Sequence, residues 1–334
     1  MKLKKLLDER GIELKYLNNN DFNELKGKAI ITNKGSFTRK LLLNLGFKDF
    51  HPVSKASIEE AEQIKEMIKE KDIVGFGGGK AIDVAKKIAS DLNLNLISVP
   101  TAPSHDGLIS KNCSLYKGSK RETIPAKYPR KVIIPLNLWK NSGNLKKAGI
   151  CDLISNLIAL QDLSLAEKER GEKFSEFYKK LSLESVEKVL NCRDEKELAE
   201  SLILSGLAME ETSRYCSGSE HEVERLLENK INEGKYFHGQ LAGTGTLISA
   251  KVYSLYSDKL KDLRFSSENF FEYIKNLMKK KDVYNFALLP LLDEKFKPEI
   301  LKEVSEVRPE RFTLWNVIDS KKIDFRRVIN EIIG

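Results

Sequence analysis

Histidine is scarce in this sequence. There are four in 334 residues: His51, His105, His221 and His238. Cysteine is equally sparse, at Cys113, Cys151, Cys192 and Cys216. No CxxC pair and no metal-ligand cysteine spacing occurs, which excludes a disulfide framework and a cysteine zinc knuckle. Scattered thiols in a chain of this length read as reduced and intracellular. No run of about 18 apolar residues is present, so no membrane span is expected. The start, MKLKKLLDERG, lacks the apolar core of a signal peptide. A cytoplasmic location follows as the expectation. Glutamine occurs only at Gln63, Gln161 and Gln240, beside abundant Lys and Glu. That bias matches heat-adapted proteins, which avoid labile amides and favour surface ion pairs.

A basic stripe is also missing. The net charge is +8 and the isoelectric point about 9.0, but lysines are spread along the chain and mixed with glutamates. The densest run, Lys279 to Lys281, is followed at once by Asp282. No aromatic residues interleave with a basic patch, so nucleic-acid binding is not expected. A charged, soluble surface explains the composition, and an anionic small molecule is the partner class it favours.

What is present is a change of pattern near the middle. Strand signals occur at 29–32 (AIIT), 73–76 (IVGF), 96–100 (LISVP) and 131–135 (KVIIP). A helix is expected near 37–45. Another over 81–92 has apolar residues at helical spacing: Ile82, Ala85, Ala89 and Leu92. Strand and helix alternation predicts a parallel sheet with helices on its faces. His51, before Pro52, reads as a loop residue. After the turn residues near Asn141–Lys147 the period becomes 3.6, over 152–168, 195–215, 220–232 and 241–256. The predicted fold is α/β: a Rossmann-like dinucleotide-binding domain over 1–145, then an all-helical metal- and substrate-binding domain over 146–334. The length, too great for a single core of usual size, also favours two domains.

The segment GFGGGKAID (75–83) lies between a strand and a helix. A phosphate can meet free N–H groups at such a helix start, and glycines let backbone approach it. Two familiar patterns fail. Lys80 stands where the third glycine of GxGxxG belongs. For a Walker A loop, Val74 replaces the first glycine and Ala81 the magnesium-holding hydroxyl. The turn therefore says phosphate and no more.

His221 lies in SGSEHEVERLLEN (217–229), at a helix start. The HExxH pattern fails because Arg225 stands at the second histidine position. Arg225, four residues on, shares a helix face with His221 and reaches any pocket His221 faces. His238 lies among small residues: Gly239, Ala242, Gly243 and Gly245. Asp152 is flanked by Ile150, Leu153, Ile154 and Leu157, and a carboxylate buried there needs a partner. One aspartate and two histidines suit zinc with an open fourth position. Spacing alone does not join them.

Five segments together resemble the archaeal glycerol-1-phosphate dehydrogenases: GGGKAIDVAK (77–86), PTAPSHDGLIS (100–110), AGICDLISN (148–156), SGSEHEVE (217–224) and FHGQ (237–240). That family belongs to the iron- or zinc-dependent polyol dehydrogenase and dehydroquinate synthase group. The match in order and spacing spans nearly the whole chain, and SHDG points to the phosphate-substrate branch. The resemblance implies that Gly78, Gly79, Lys80, Ala81, Ile82 and Asp83 lie along the cofactor pyrophosphate. Thr101, Ser104 and Ser110 line the cofactor elsewhere. Asp106 holds the substrate, and Asp152, His221 and His238 bind zinc, with Asp152 also near the substrate. The implied site lies in the cleft between the two domains. Three positions depart from the family pattern. Cys151 replaces the glycine before the metal aspartate, and its thiol is expected to pack away from the metal. Arg225 replaces a second histidine and is expected to clamp a substrate phosphate. Pro135 replaces an aspartate after its strand.

The implied reaction is reduction of dihydroxyacetone phosphate to sn-glycerol 1-phosphate, a lipid backbone precursor. Zinc polarises the carbonyl, a nicotinamide supplies hydride, and His105 or a water supplies the proton. After the first strand Thr32-Asn33-Lys34 offers no acid for a ribose 2′-hydroxyl, while Lys34 or Arg39 suits a 2′-phosphate. NADP(H) is therefore expected to be accepted alongside NAD(H). A homodimer or higher homo-oligomer is expected. The competing readings are a polyol dehydrogenase acting on unphosphorylated glycerol and a non-catalytic nucleic-acid binder.

Overall fold

The computed structural model describes residues 3–118, 120–232, 234–265 and 267–334. Two compact units emerge. The first runs to Lys146 and takes in Cys192–Glu210; the second comprises Lys147–Asn191 and Glu211–Gly334. The first unit therefore takes in segment 192–210, within the span 146–334 that the sequence reading assigns to the helical domain.

In the first unit, six strands form one parallel sheet. They are β1 (Glu13–Leu17), β2 (Ala29–Asn33), β3 (His51–Val53), β4 (Asp72–Gly77), β5 (Asn95–Pro100) and β8 (Lys131–Pro135), in the order β1-β8-β5-β4-β2-β3. Strands β6 (Asn112–Lys117) and β7 (Lys120–Pro125) form a separate antiparallel hairpin. Helices α1 (Leu3–Asp8), α2 (Ser36–Asn44), α3 (Ile58–Lys65), α4 (Gly79–Asp91) and α5 (Leu136–Trp139) complete this part of the chain. The central strands carry the β-branched runs that a sheet buried on both faces requires. Ile30, Ile31, Ile73, Val74, Val99, Val132, Ile133 and Ile134 are all 0–1% exposed. His51 opens the edge strand β3 beside Ile31, where a loop is expected from sequence.

Helix α4 packs on the sheet where β4 is thinnest. A Cβ on Gly75 would lie 2.9 Å from the Ile82 Cα, so only glycine allows this approach. The carboxyl ends of β2, β4 and β5 meet at Asn33, Gly77 and Pro100, the edge at which open α/β sheets bind ligands.

The second unit is helical. Helix α6 (Asn144–Arg170) leads into it, followed by α7 (Glu176–Asn191). Helix α8 (Glu195–Ala208) belongs to the first unit. Then come α9 (Ser219–Lys230) and α10 (His238–Leu255), with shorter helices to the chain end. By length and mean hydropathy α6 alone among the described residues could cross a membrane, although Asp152, Asn156, Gln161 and Asp162 interrupt its apolar residues. Of its most apolar window 94% is buried within the protein, as a core helix would be.

Candidate functional site

Asp152 of α6, His221 of α9 and His238 of α10 converge, with one ligand atom from each inside a 4.8 Å spread. Nε2 of His221 and Nε2 of His238 each lie 3.5 Å from the same Asp152 Oδ1. The ring centroids are 5.2 Å apart. Asp152 and His221 are buried and His238 is partly so.

Small residues on α10 make the convergence possible. A Cβ on Gly239 would sit 2.1 Å from the Ala148 carbonyl oxygen of α6. One on Gly245 would sit 2.1 Å from the Glu220 carbonyl oxygen of α9. Helix α10 therefore touches the backbones of both other helices. A Cβ on Gly243 would meet Cys151 Sγ at 2.9 Å, so the thiol packs into the notch that Gly243 leaves. Burial, with Asp152 beside it, pushes that thiol well above its ordinary range, and no cysteine joins the ligand cluster among the described residues.

The remaining ring nitrogens face carboxylates. His221 Nδ1 lies 2.7 Å from Glu220 Oε1, and His238 Nδ1 lies 2.8 Å from Glu224 Oε1. Burial alone would raise the Asp152 pKa, but contacts with both histidines hold it well below the carboxylate range. Burial alone would lower the histidines. Asp152 and Glu220 nonetheless raise His221, and Glu224 with Asp152 pushes His238 up to about 10. Two imidazoles enclosed by three carboxylates are a site that favours added positive charge. An aspartate oxygen and two Nε2 atoms, each ring fixed through Nδ1, form a donor set that fits a divalent metal such as zinc or iron.

Arg225 is half-buried one turn along α9 from His221. Burial, with the Arg225 charge nearby, lowers the Arg311 pKa to about 10. Arg311 donates to the Ser217 carbonyl oxygen (3.0 Å) and to Ser213 Oγ (2.7 Å). Arg308 donates to Ser217 Oγ (2.9 Å). Several guanidiniums thus gather around the start of α9.

In the first unit the glycine turn links β4 to α4. Gly77 has φ 149°, and a Cβ there would strike Asn33 Oδ1 at 2.1 Å. Gly78 N–H donates to Asn33 Oδ1 (2.7 Å), so one of the N–H groups expected to be free is already engaged. Lys80 is exposed, and Ala81 and Ile82 are fully buried packing residues. Asp83 turns toward Lys86 Nζ at 3.8 Å. Thr101 is buried beside the turn and donates its N–H to the Gly77 carbonyl oxygen (3.0 Å); Ser104 is half-buried. The His105 ring lies over the glycine turn: a Cβ on Gly79 would be 2.8 Å from its Nε2. His105 Nδ1 accepts from Gly107 N–H (2.9 Å), which leaves the neutral ring with its proton on Nε2. Asp106 Oδ2 accepts from Ser205 Oγ (2.6 Å) of α8, and Gly206 of the same helix leaves room for the Asp106 carbonyl.

Sequence reasoning passed over Lys86. It is fully buried, and its ammonium donates to the Gly107 carbonyl (2.5 Å), Ser110 Oγ (3.1 Å) and the Asn112 carbonyl (2.8 Å). Three donors meet three acceptors and pin the 105–112 segment to α4. The signal available was a lysine on the apolar face of a predicted helix. Asn33, Ser205, Glu220 and Glu224 were also passed over, because their partners are set by tertiary contacts.

Comparison with known proteins gives the family and the fold. A family model described as iron-containing alcohol dehydrogenase matches residues 3–142. A glycerol-1-phosphate dehydrogenase [NAD(P)+] of Metallosphaera sedula is 37% identical over 256 residues, covering 70% of this chain and 72% of the relative. The enzyme of that name from Sulfurisphaera tokodaii is 31% identical, covering 87% and 85%. The chain belongs to the glycerol-1-phosphate dehydrogenase family. Among solved structures, a probable glycerol dehydrogenase of Sinorhizobium meliloti matches with a TM-score of 0.67 at 18% identity, covering 96% of this chain and 95% of that one. An iron-containing alcohol dehydrogenase of Thermotoga maritima matches with a TM-score of 0.61 at 16% identity, covering 99% and 96%. At such identities these neighbours establish the fold. Glycerol-1-phosphate dehydrogenases are oxidoreductases, and the parallel sheet followed by helices is the architecture this chain shares with its neighbours.

Proposed function

We propose that this chain reduces dihydroxyacetone phosphate to sn-glycerol 1-phosphate with NADPH or NADH and a divalent metal, zinc being the favoured one. The observation that carries the reading is the convergence of Asp152, His221 and His238 in a chain of this family. Those three residues would hold the metal. When bound, the metal supplies a Lewis acid for the substrate's carbonyl oxygen. The nicotinamide supplies hydride.

The chain's own residues bind and orient. Asp106, steadied by Ser205, suits a substrate hydroxyl. Arg225, within the guanidinium group that includes Arg308 and Arg311, suits the substrate phosphate. Gly78, Gly79 and Lys80 lie where a pyrophosphate would meet the start of α4. His105, with Nδ1 engaged and Nε2–H toward Gly79, suits a hydrogen bond to that pyrophosphate. This cofactor-side role replaces the proton-transfer role that the sequence alone suggested for His105.

The test compares substrates in the Arg225→Met variant. A charged hydrogen bond is worth about 1.5–3 kcal/mol, so kcat/KM for dihydroxyacetone phosphate should fall roughly tenfold to a hundredfold. Any activity on glycerol should stay unchanged. Equal loss on both substrates, or glycerol turnover above that of the phosphate ester, would move the chain to the unphosphorylated branch. Chirality of the product then tests the 1-phosphate assignment.

A further inference from the structure

We infer that Glu220 and Glu224 are positioning residues for the metal, acting through the two histidines. The inference rests on the metal reading above and adds residues to it. Both carboxylates are enclosed, at 0% and 1% exposure. Each takes the Nδ1 of a different ligand histidine, at 2.7 Å and 2.8 Å. Both histidines then present Nε2 to one oxygen of Asp152, at the same 3.5 Å.

The two glutamates come from one helix but serve two. Glu220 precedes His221 on α9, and Glu224, one turn later, reaches across to His238 on α10. Glu220 is itself held, since its Oε1 accepts the Gly218 N–H at 2.8 Å. Helix α10 lies against the Glu220 carbonyl through Gly245, so neither helix can slide without breaking this pairing. A buried glutamate is expensive to desolvate and needs a compensating role. Here the role is twofold. The carboxylate fixes the ring so that Nε2 faces the metal, and its charge makes that nitrogen a stronger donor. The pattern EHEVE (220–224) thus supplies one ligand and the outer partner of both histidines.

The experiment measures zinc affinity by competition with a chromophoric chelator, on full-length protein stripped of metal and reloaded. Glu220→Gln and Glu224→Gln should each weaken zinc binding by roughly tenfold to a hundredfold. The unloaded variants should melt within a few degrees of the parent, and NADPH affinity by fluorescence should not change. Cobalt-loaded variants should show shifted visible bands, which a structural role alone would not produce. Glu220→Asp and Glu224→Asp, which keep the charge, should restore part of the affinity; they also serve if a glutamine variant fails to fold. Zinc affinity within twofold of the parent in both glutamine variants, with unchanged cobalt bands, would overturn the inference alone. A parent that binds no zinc would overturn the metal reading and the inference together.

Discussion

The two units build their chemistry differently. In the first, the proposed cofactor site is mostly backbone: a glycine turn between β4 and α4, and a segment at 105–112 pinned by one lysine. In the second, the proposed metal site is made of titratable side chains, with Asp152, His221 and His238 framed by Glu220 and Glu224 on three helices. A backbone site is written in adjacent residues, because the turn and the helix start are local. A side-chain site is assembled from residues separated by 69 positions (Asp152 to His221) and 17 (His221 to His238), so only packing joins them. The first is expected to be sensitive to atoms added at its tightest glycines and to loss of Lys86; the second, to lost charge and lost geometry.

The largest effect should follow removal of a ligand. His221→Ala or Asp152→Asn should lower kcat/KM by on the order of a thousandfold or more, given several kcal/mol of charge stabilisation at the metal. Zinc content after dialysis should fall in parallel. Retention of both metal and activity would show that the three side chains converge for structural reasons only.

The glycine turn gives a graded comparison. Gly79→Ala places a Cβ 2.8 Å from His105 Nε2, whereas at Gly78 the nearest atom is Asn33 Oδ1 at 3.7 Å. The KM for NADPH should rise about tenfold in Gly79→Ala, the equivalent of about 1.4 kcal/mol, and change little in Gly78→Ala. Similar effects in both would mean that His105 does not serve the cofactor.

Lys86→Met should leave the Gly107 carbonyl without its donor and the Asn112 carbonyl with the Ser110 hydroxyl alone, 3.2 Å away. Unmet acceptors cost about 1–3 kcal/mol each, so the melting midpoint should fall and the cofactor KM should rise. Loss of stability with an unchanged KM would reduce Lys86 to a core residue.

The smallest effect concerns pH. Burial and the neighbouring Glu220 raise the Asp162 pKa to about 6, although Tyr253 Oη (2.6 Å) and the Leu314 N–H (2.9 Å) donate to it. A carboxyl raised in the folded state stabilises below its unfolded value, near 4, and that stability is lost as pH rises through about 6. Denaturant midpoints between pH 4 and pH 7 should therefore decline by less in Asp162→Asn than in the parent.

Much of the fold was legible. The apolar strands β2, β4, β5 and β8 announce themselves by β-branched runs between turn residues. The edges did not: β1 reads ELKYL, β3 is three residues with Pro52 in the middle, and β7 reads KRETIP. Such strands are half-exposed, so they lack the apolar signal. Helix α8 was legible as a helix, but its membership in the first unit was not, because Ser205 and Gly206 meet the Asp106 turn about 100 residues away. The three residues proposed to hold the metal, which the fold brings together, were named from the family resemblance. Their glutamate partners were not, since a glutamate beside a histidine on a charged helix usually faces solvent.

The most direct test of the account is NAD(P)H oxidation with dihydroxyacetone phosphate, before and after chelation, with glycerol plus NAD(P)+ as the control. The account predicts activity on the phosphate ester that disappears with chelation and returns with zinc. Full activity in metal-stripped protein, or none with dihydroxyacetone phosphate despite bound zinc, would contradict it.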